Sequence, residues 1–235
     1  MGTTLARAAA GGGVDVTLAG RADLERACAA TEVVLLCVPD GEITGAAAAV
    51  AAATPRLRLI GHTSGATEID ALDAAGVAAF SLHPLQTFPD GDTALAGAPA
   101  AIEGANAEAL DFARDLAEAL GMRPFELPPG SRGAYHAAAS IASNFLVALE
   151  ESAAALLGDA GIEDARALLT PLVLRSAANW AEAGAGALTG PIARGDQATV
   201  RRHLEAIAAS SPELEPLYLA LAARTREIAA EGARA

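Results

Sequence analysis

The sequence predicts an α/β protein, a doubly wound and mostly parallel sheet followed by an all-helical segment. Short apolar strands alternate with alanine-rich helices as far as Leu127, and this βαβ rhythm with short connections is typical of such a sheet. After Pro129 only helical patterns follow. The low aromatic content of 3% beside 52% apolar residues suits closely packed helices. We therefore predict two domains, residues 1–130 and 131–235.

The strands and helices of the first domain are expected in alternation. The clearest strand follows Glu32, because a near-continuous apolar run indicates a parallel strand covered on both faces. The predicted strands are residues 14–19, 32–40, 57–60, 77–82, 99–103 and 123–127. The predicted helices are one that begins at Gly2 and those at residues 22–30, 42–53, 68–75 and 108–120.

The second domain is expected to open with one long helix, residues 135–157, after the breaker cluster Pro128-Pro129-Gly130. The first half of that helix carries polar side chains at spacings that bring several onto one side: Tyr135, His136, Ser140, Ser143 and Asn144. A polar-lined helix where the composition changes indicates a site between two domains. Further helices are predicted at residues 162–182, 197–209 and 212–230.

Charge and composition exclude several classes of protein. The net charge is −13 and the chain has no lysine, which argues against binding to nucleic acid or anionic membranes and excludes lysine-based chemistry. Cys28 and Cys37 are expected to be reduced core residues rather than a disulfide. The chain shows no apolar run long enough to cross a bilayer and no signal pattern, so we expect a soluble cytoplasmic protein.

Three predicted strands end in residues suited to a binding site, because ligands of open α/β sheets bind beyond the carboxyl ends of the strands. Two of the four histidines lie at such ends, and histidine suits proton transfer near neutral pH. These ends are Val38-Pro39-Asp40, His62-Thr63-Ser64 and His83-Pro84. Ordinary turn residues are the alternative, and Thr63 and Ser64 could equally cap a helix before Glu68. No carboxylate lies at ligand spacing from the histidines, so no metal is expected.

The beginning of the chain carries one feature of a dinucleotide-binding site. Gly2 and Thr3 open a helix that resembles the end of a G-x-G-x-x-G fingerprint, although a glycine before an alanine-rich helix is commonplace. Arg21 follows the predicted strand 14–19, where an arginine can bind the 2′-phosphate of NADP and an acidic residue would favour NAD. NADP is therefore favoured over NAD. Arg21 could also be a solvated surface residue.

The predicted helical domain supplies further candidates. His136 and Asn144 could be satisfied core residues, but a buried Asn144 would need a specific partner. Arg194 could clamp an anionic substrate or pair with Asp196. Asp196 could instead cap the helix that follows it.

Taken together, several segments resemble Rossmann-like oxidoreductases that carry a helical C-terminal domain of unknown function, within the 6-phosphogluconate-dehydrogenase-like superfamily. The segments are HTSGATEIDAL, SLHPLQTF, AIEG, YHAAASIASNFLVAL and LTGPIARGD, within residues 31–225. The resemblance implies an NAD(P)-binding domain and an all-α domain that forms a homodimer. The strand ends are similar to those of prephenate dehydrogenase and pyrroline-5-carboxylate reductase, which implies that His83 is catalytic and that Ser64 lies near the substrate and the nicotinamide.

The chain departs from this pattern at its beginning. The first strand and most of the glycine fingerprint are missing, and we expect either a start upstream of Met1 or a degenerate member that binds cofactor weakly. A sheet without that strand would leave neighbouring edges unpaired. The long helix also lacks the lysine that hydroxyacid and 6-phosphogluconate dehydrogenases use.

The expected function is hydride transfer between NADP and a small anionic metabolite. The expected catalytic residues are His83, Ser64, His136 and Asn144. The expected cofactor-binding residues are Gly2, Thr3, Arg21, Val38, Pro39, Asp40, His62 and Thr63. The expected substrate-binding residues are Tyr135, Ser140, Arg194 and Asp196. The alternative is a catalytically degenerate dimeric module that binds a metabolite or a partner.

Overall fold

Five strands form one sheet in the order β1-β2-β3-β4-β5, in a computed structural model that describes residues 1–89 and 93–232. The strands are β1 Val33–Leu36, β2 Leu59–His62, β3 Ala78–Pro84, β4 Pro99–Gly104 and β5 Arg123–Glu126. Neighbouring strands are parallel except for the pair β3 and β4, which is antiparallel. The mostly parallel sheet predicted from the sequence is therefore confirmed.

Helices cover both faces of this sheet, because side chains of successive strand residues point to opposite faces. Leu59, Phe80 and Ile102 pack with residues of α1 and α4 in one cluster. Ile60 and Ala79 pack with residues of α3 in a second cluster. The helices are α1 Gly2–Gly11, α2 Leu24–Cys28, α3 Ile43–Ala53 and α4 Ala107–Ala119. This is the predicted doubly wound arrangement.

The predicted strand 14–19 is wrong. This segment is neither helix nor strand. Val14 packs partly buried against the core, whereas Val16 and Leu18 are 46% and 60% exposed. Its alternating pattern needs a neighbouring ladder to become a strand, and in the described chain β1 is the edge strand of the sheet. The predicted helix 68–75 is also not an α-helix, since Ile69–Ala75 forms 3-10 turns that end at Gly76 in the left-handed region.

The predicted single helix 135–157 is two helices, α5 Arg132–Ala142 and α6 Asn144–Asp159. The break is at Ser143, whose φ of −119° and ψ of −75° lie outside helical geometry. Serine competes for backbone hydrogen bonds, but no side-chain cap forms at this residue. The break coincides with the boundary between two compact units of the chain, Met1–Ile141 and Ala142–Ala235. Helix α5, which lies beyond the predicted boundary near residue 131, thus belongs to the N-terminal unit.

The C-terminal unit contains only helices within residues 142–232. These are α6, α7 Ala165–Ala183, α8 Gln197–Ser210 and α9 Glu215–Gly232, and they match the predicted elements to within a few residues. Many of their large apolar side chains are exposed, including Phe145, Leu172 and Trp180. The buried apolar residues of this unit are Val200, Ile207 and Ala222, among the residues that the structure describes.

The helical stretch Arg132–Asp159 is long and apolar enough to cross a membrane, by length and composition alone. This corrects the expectation that no such run exists. The test is weak, because core and interface helices of water-soluble proteins also pass it. The stretch is interrupted at Ser143, and its first residue, Arg132, is only 1% exposed. None of the most apolar 18 residues of the stretch is buried inside the described structure.

The two cysteines differ in their surroundings. Both are free thiols, and Cys28 is buried as expected. Cys37 is exposed, so its expected place in the core is wrong. The reason is that Cys37 follows the end of β1, which lies at the edge of the described sheet.

Candidate functional site

Three polar side chains lie in a row across the middle of the sheet. Strand register aligns His62 of β2 with Ser81 of β3, and Ser81 with Glu103 of β4. Aligned residues of neighbouring strands point to the same face, so these side chains share one face of an otherwise apolar sheet. His83 lies two residues beyond Ser81 and therefore also points to this face.

Arg132 of α5 holds this row together. Its guanidinium is 1% exposed and donates to Glu103 Oε2 at 2.5 Å, to the Ser81 hydroxyl, and to the carbonyl oxygen of Ser64 at 3.0 Å. Glu68 Oε2 lies 3.7 Å from its Nε. A buried arginine needs such charged and hydrogen-bonding partners, because an unpaired buried charge is costly. Arg132 therefore joins α5 to three segments that follow or form the sheet.

His62 is completely buried at the end of β2. Its Nδ1 accepts a 3.2 Å hydrogen bond from the Ser64 amide, so in the neutral ring the proton is on Nε2. Nε2 is buried and has no hydrogen-bond partner among the described residues. Burial, and then the charge of Arg132, lowers the pKa of His62 to about 4. This unsatisfied nitrogen lies inside the protein and is not exposed at the surface of the described chain.

Ser64 closes a tight turn after β2. Its hydroxyl oxygen accepts hydrogen bonds from the amides of Ala66 at 3.1 Å and Thr67 at 2.9 Å, and it lies 3.0 Å from Thr67 Oγ1. The capping role that the sequence allowed is thus present, in a turn that precedes the 3-10 segment. Thr63 is also buried. Its amide donates a 3.1 Å hydrogen bond to the carbonyl oxygen of Leu36, which extends the pairing of β2 with β1. Both side chains are engaged within the protein.

His83 and Tyr135 form a hydrogen-bonded pair at the carboxyl end of β3. His83 Nδ1 lies 2.6 Å from the Tyr135 phenol oxygen, and both side chains are half-buried. Burial, and then the nearby His136, lowers the pKa of His83 to about 4, while burial raises the pKa of Tyr135 to about 12. Both groups are therefore neutral at pH 7. The His136 ring centroid lies 6.3 Å from that of His83.

Gly65 leaves a space that these two histidines need. A Cβ on residue 65 would lie 2.9 Å from Nε2 of His83 and 2.7 Å from Cδ2 of His136. Such distances are shorter than van der Waals contact, so only glycine fits here without displacing a ring. Residue 65 therefore places only backbone atoms beside Nε2 of His83.

The predicted cofactor residues lie at the first helix and at the end of β1. A Cβ on Gly2 would lie 3.3 Å from Cβ of Cys37, so the start of α1 closely approaches the residue after β1. No side chain caps the N-terminus of α1 at Met1, and Thr3 is exposed there. A helix start without a side-chain cap and a close glycine approach are features that suit a pyrophosphate.

The remaining cofactor candidates are on the surface beside this region. Val38 is half-buried, and Pro39 and Asp40 are exposed at the turn that leads into α3. Arg21 forms a 2.6 Å ion pair with Glu42, and both side chains are largely exposed. The contact uses one terminal nitrogen of Arg21 and leaves the other N–H donors of its exposed guanidinium unoccupied by Glu42.

Ser140 lies one helical turn after His136 on α5 and is half-buried. The other predicted residues belong to the C-terminal unit. Asn144 is the exposed first residue of α6, so the argument from its burial is wrong. Asp196 caps α8 by accepting from the Thr199 amide at 3.0 Å and hydroxyl at 2.7 Å, which lowers its pKa. Arg194 is exposed and forms no ion pair with Asp196 within the described ranges.

Sequence reasoning missed Arg132, Glu103, Ser81 and Gly65. The available signals were a serine and a glutamate within the apolar strands AAFSLHP and PAAIEG. Only the register, which depends on tertiary structure, shows that both face one arginine. No group of three or more metal-binding side chains occurs in the described part of the chain.

A sheet with helices on both faces, polar residues at its carboxyl edge and an all-helical second unit define a Rossmann-like protein with a helical C-terminal domain. The chain belongs to the family described as "Domain of unknown function (DUF2520)", which matches residues 98–225, more than half of its length. No curated protein matches the sequence.

Solved structures share this fold over nearly the whole chain. A Bacteroides fragilis protein assigned as an NADP oxidoreductase is 22% identical with a TM-score of 0.78, covering 96% of this chain and 93% of that chain. A protein from Thermotoga maritima is 27% identical with a TM-score of 0.73, covering 87% and 81%. An imine reductase from Streptomyces aurantiacus is 16% identical with a TM-score of 0.67, covering 98% and 96%.

Proposed function

We propose that the chain is an NADP-dependent oxidoreductase that acts on a small anionic metabolite. The observation that carries this proposal is His83, which is held by Tyr135 at one ring nitrogen and has the backbone of Gly65 beside the other. The likeness in fold to an NADP oxidoreductase, to an imine reductase and to a pyrroline carboxylate reductase with NADP bound supports the choice of reaction. Bound NADPH would supply the hydride.

In this proposal His83 moves the proton that accompanies the hydride. At pH 7 its imidazole is neutral, so Nε2 can donate a hydrogen bond to a carbonyl or imine, or accept a proton from an alcohol or amine. His62 is completely buried and would support the site through the hydrogen bond that its Nδ1 accepts from the Ser64 amide. Ser64 would maintain the shape of the turn after β2, because its hydroxyl already binds Thr67 and the amide of Ala66. His136 and Ser140 lie on the side of α5 near this group.

For the cofactor, we propose that the start of α1 at Gly2 and Thr3 holds the pyrophosphate and that Arg21 selects NADP. The Glu42 contact uses one terminal nitrogen of Arg21, so the other N–H donors of the guanidinium can bind the 2′-phosphate. Val38, Pro39 and Asp40 are proposed to line the dinucleotide.

A fluorescence titration of the full chain with NADPH and with NADH tests the function. We expect saturable NADPH binding below about 1 mM and weaker NADH binding. In Arg21→Ala, the two cofactors should bind with equal affinity. Consumption of NADPH with a panel of 2-oxo acids and cyclic imino acids then defines the substrate. His83→Gln should bind NADPH normally and lose turnover by about 10²- to 10⁴-fold. Absence of NADPH binding would leave the non-catalytic module as the better description.

We also propose a cytoplasmic homodimer formed by the helical unit. Exposed apolar side chains on α6 and α7, such as Phe145, Leu168 and Leu172, are too many for a solvated surface. Only three apolar residues are buried in that unit, among those that the structure describes. A second copy would supply the missing apolar contacts through a symmetric interface.

A further inference from the structure

The chain contains two tyrosines, and each hydrogen-bonds to Nδ1 of a histidine. Tyr218 of α9 lies 2.8 Å from His203 of α8, in an exposed pair. Tyr135 lies 2.6 Å from His83 in a half-buried pair at the carboxyl edge of the sheet. The first pair ties two surface helices together, whereas the second lies within the candidate site.

The surroundings of the Tyr135–His83 pair make both of its charged forms costly. Burial disfavours the imidazolium of His83, the nearby His136 and Arg132 add to this, and Asp40 opposes it. Burial likewise disfavours the phenolate of Tyr135, which Arg132 only partly offsets. A proton that enters or leaves through Nε2 of His83 must therefore move without leaving a charge on either the imidazole or the phenol.

We propose that Tyr135 is a proton-relay residue that acts through His83, so that a proton crosses the imidazole by exchange of its tautomers. This inference rests on the proposed function. It differs from the substrate-binding role that the sequence suggested for Tyr135. The relay joins the half-buried reacting nitrogen of His83 to the phenol, and the phenol to water.

During reduction, the Nε2–H bond of His83 breaks and its proton bonds to the substrate oxygen or nitrogen. Bound NADPH would supply the hydride for the adjacent carbon. In the same step Nδ1 takes the proton of the Tyr135 hydroxyl, and the phenol oxygen takes a proton from solvent. Both side chains remain neutral, and His83 ends as the other tautomer. Oxidation reverses each transfer. The two rings return to their first state by the reverse exchange with solvent.

Nitrogen NMR of the full chain, labelled at its four histidines, tests the relay without cofactor or substrate. In the wild type, the Nδ1 resonance of His83 should show an accepted hydrogen bond, because a phenol is the better donor of the two. Tyr135→Phe should shift this resonance and leave His203 unchanged. The control Tyr218→Phe should do the opposite. An unchanged His83 resonance in Tyr135→Phe overturns the relay.

Kinetics with NADPH and the best substrate of the panel provide the second test. Tyr135→Phe should lower kcat about 10²-fold with little change in KM, and Tyr218→Phe should leave both unchanged. A plot of kcat against the deuterium fraction of the solvent should curve in the wild type, where two or more protons move, and become linear in Tyr135→Phe. Full kcat in Tyr135→Phe overturns the relay alone. A wild type that binds no NADPH and turns over no substrate overturns the proposed function and the relay with it.

Discussion

Arg132 donates a 3.0 Å hydrogen bond to the carbonyl oxygen of Ser64, 68 residues earlier in the sequence. The same guanidinium binds Ser81 and Glu103, so one side chain fixes the turn after β2 and the start of α5 against two central strands. The turn carries Gly65, and α5 carries Tyr135. The position of His83 between them therefore depends on Arg132.

Replacement of Arg132 by methionine should reduce the free energy of unfolding by about 3–5 kcal/mol, because it leaves the partly buried carboxylate of Glu103 without its partner. Urea denaturation measures this change. The matched control is Arg114→Met, which removes an ion pair with Glu126 that is far more exposed and should cost about 1 kcal/mol or less. Equal losses in the two variants would mean that Arg132 does not hold the sheet residues as described.

Gly65→Ala should displace the rings of His83 and His136, since its Cβ would lie within 2.9 Å of both. We expect a loss of about 1–3 kcal/mol in unfolding free energy and shifted ring resonances of both histidines. Gly133→Ala is the control, because a Cβ there meets no atom within 4 Å and alanine favours the helix α5. Wild-type ring resonances in Gly65→Ala would contradict the described packing.

The free energy of unfolding should decrease as the pH is lowered from about 6.5 to about 4, because the folded-state pKa values of His62 and His83 are lowered from 6.5 to about 4. Within this window the unfolded chain binds more protons than the folded chain, so acid favours unfolding, by at most about 1.4 kcal/mol per pH unit for each histidine. Above pH 6.5 both states are neutral at these residues and the effect vanishes. Urea denaturation at several pH values measures the slope.

His62→Gln should reduce that slope, since glutamine does not titrate, and His203→Gln should leave it unchanged because His203 lies in the exposed pair with Tyr218. A slope that persists in the double variant His62→Gln/His83→Gln would show that other groups cause the acid sensitivity.

The proposed homodimer predicts that Leu172→Glu gives a monomer. Leu172 is 63% exposed on α7, and a carboxylate would be buried without a partner at the expected interface. Light scattering after size-exclusion chromatography measures the mass. The control is Leu18→Glu, at a leucine that is 60% exposed in the N-terminal unit and should not change the mass. A monomeric wild type would remove the proposal.

Most elements of the fold could be predicted from local pattern. The apolar run of β1 and the periodic helices α4 and α8 agree with their predictions to within a few residues, because burial of one or both faces determines which residue types occur. The strand predicted at residues 14–19 does not form, because an alternating pattern gives a strand only where a neighbouring strand can pair with it. The break in the long helix at Ser143 was not predicted, because no proline or glycine marks it in the sequence.

The sequence by itself determined the fold class, the residues at the carboxyl ends of β2 and β3, and the absence of lysine from any chemistry. Only the tertiary structure decided which of those residues meet. Strand register placed Ser81 opposite both His62 and Glu103, and helix packing brought Arg132 and Tyr135 to them. Register and packing depend on contacts between residues far apart in sequence, and no local pattern records them.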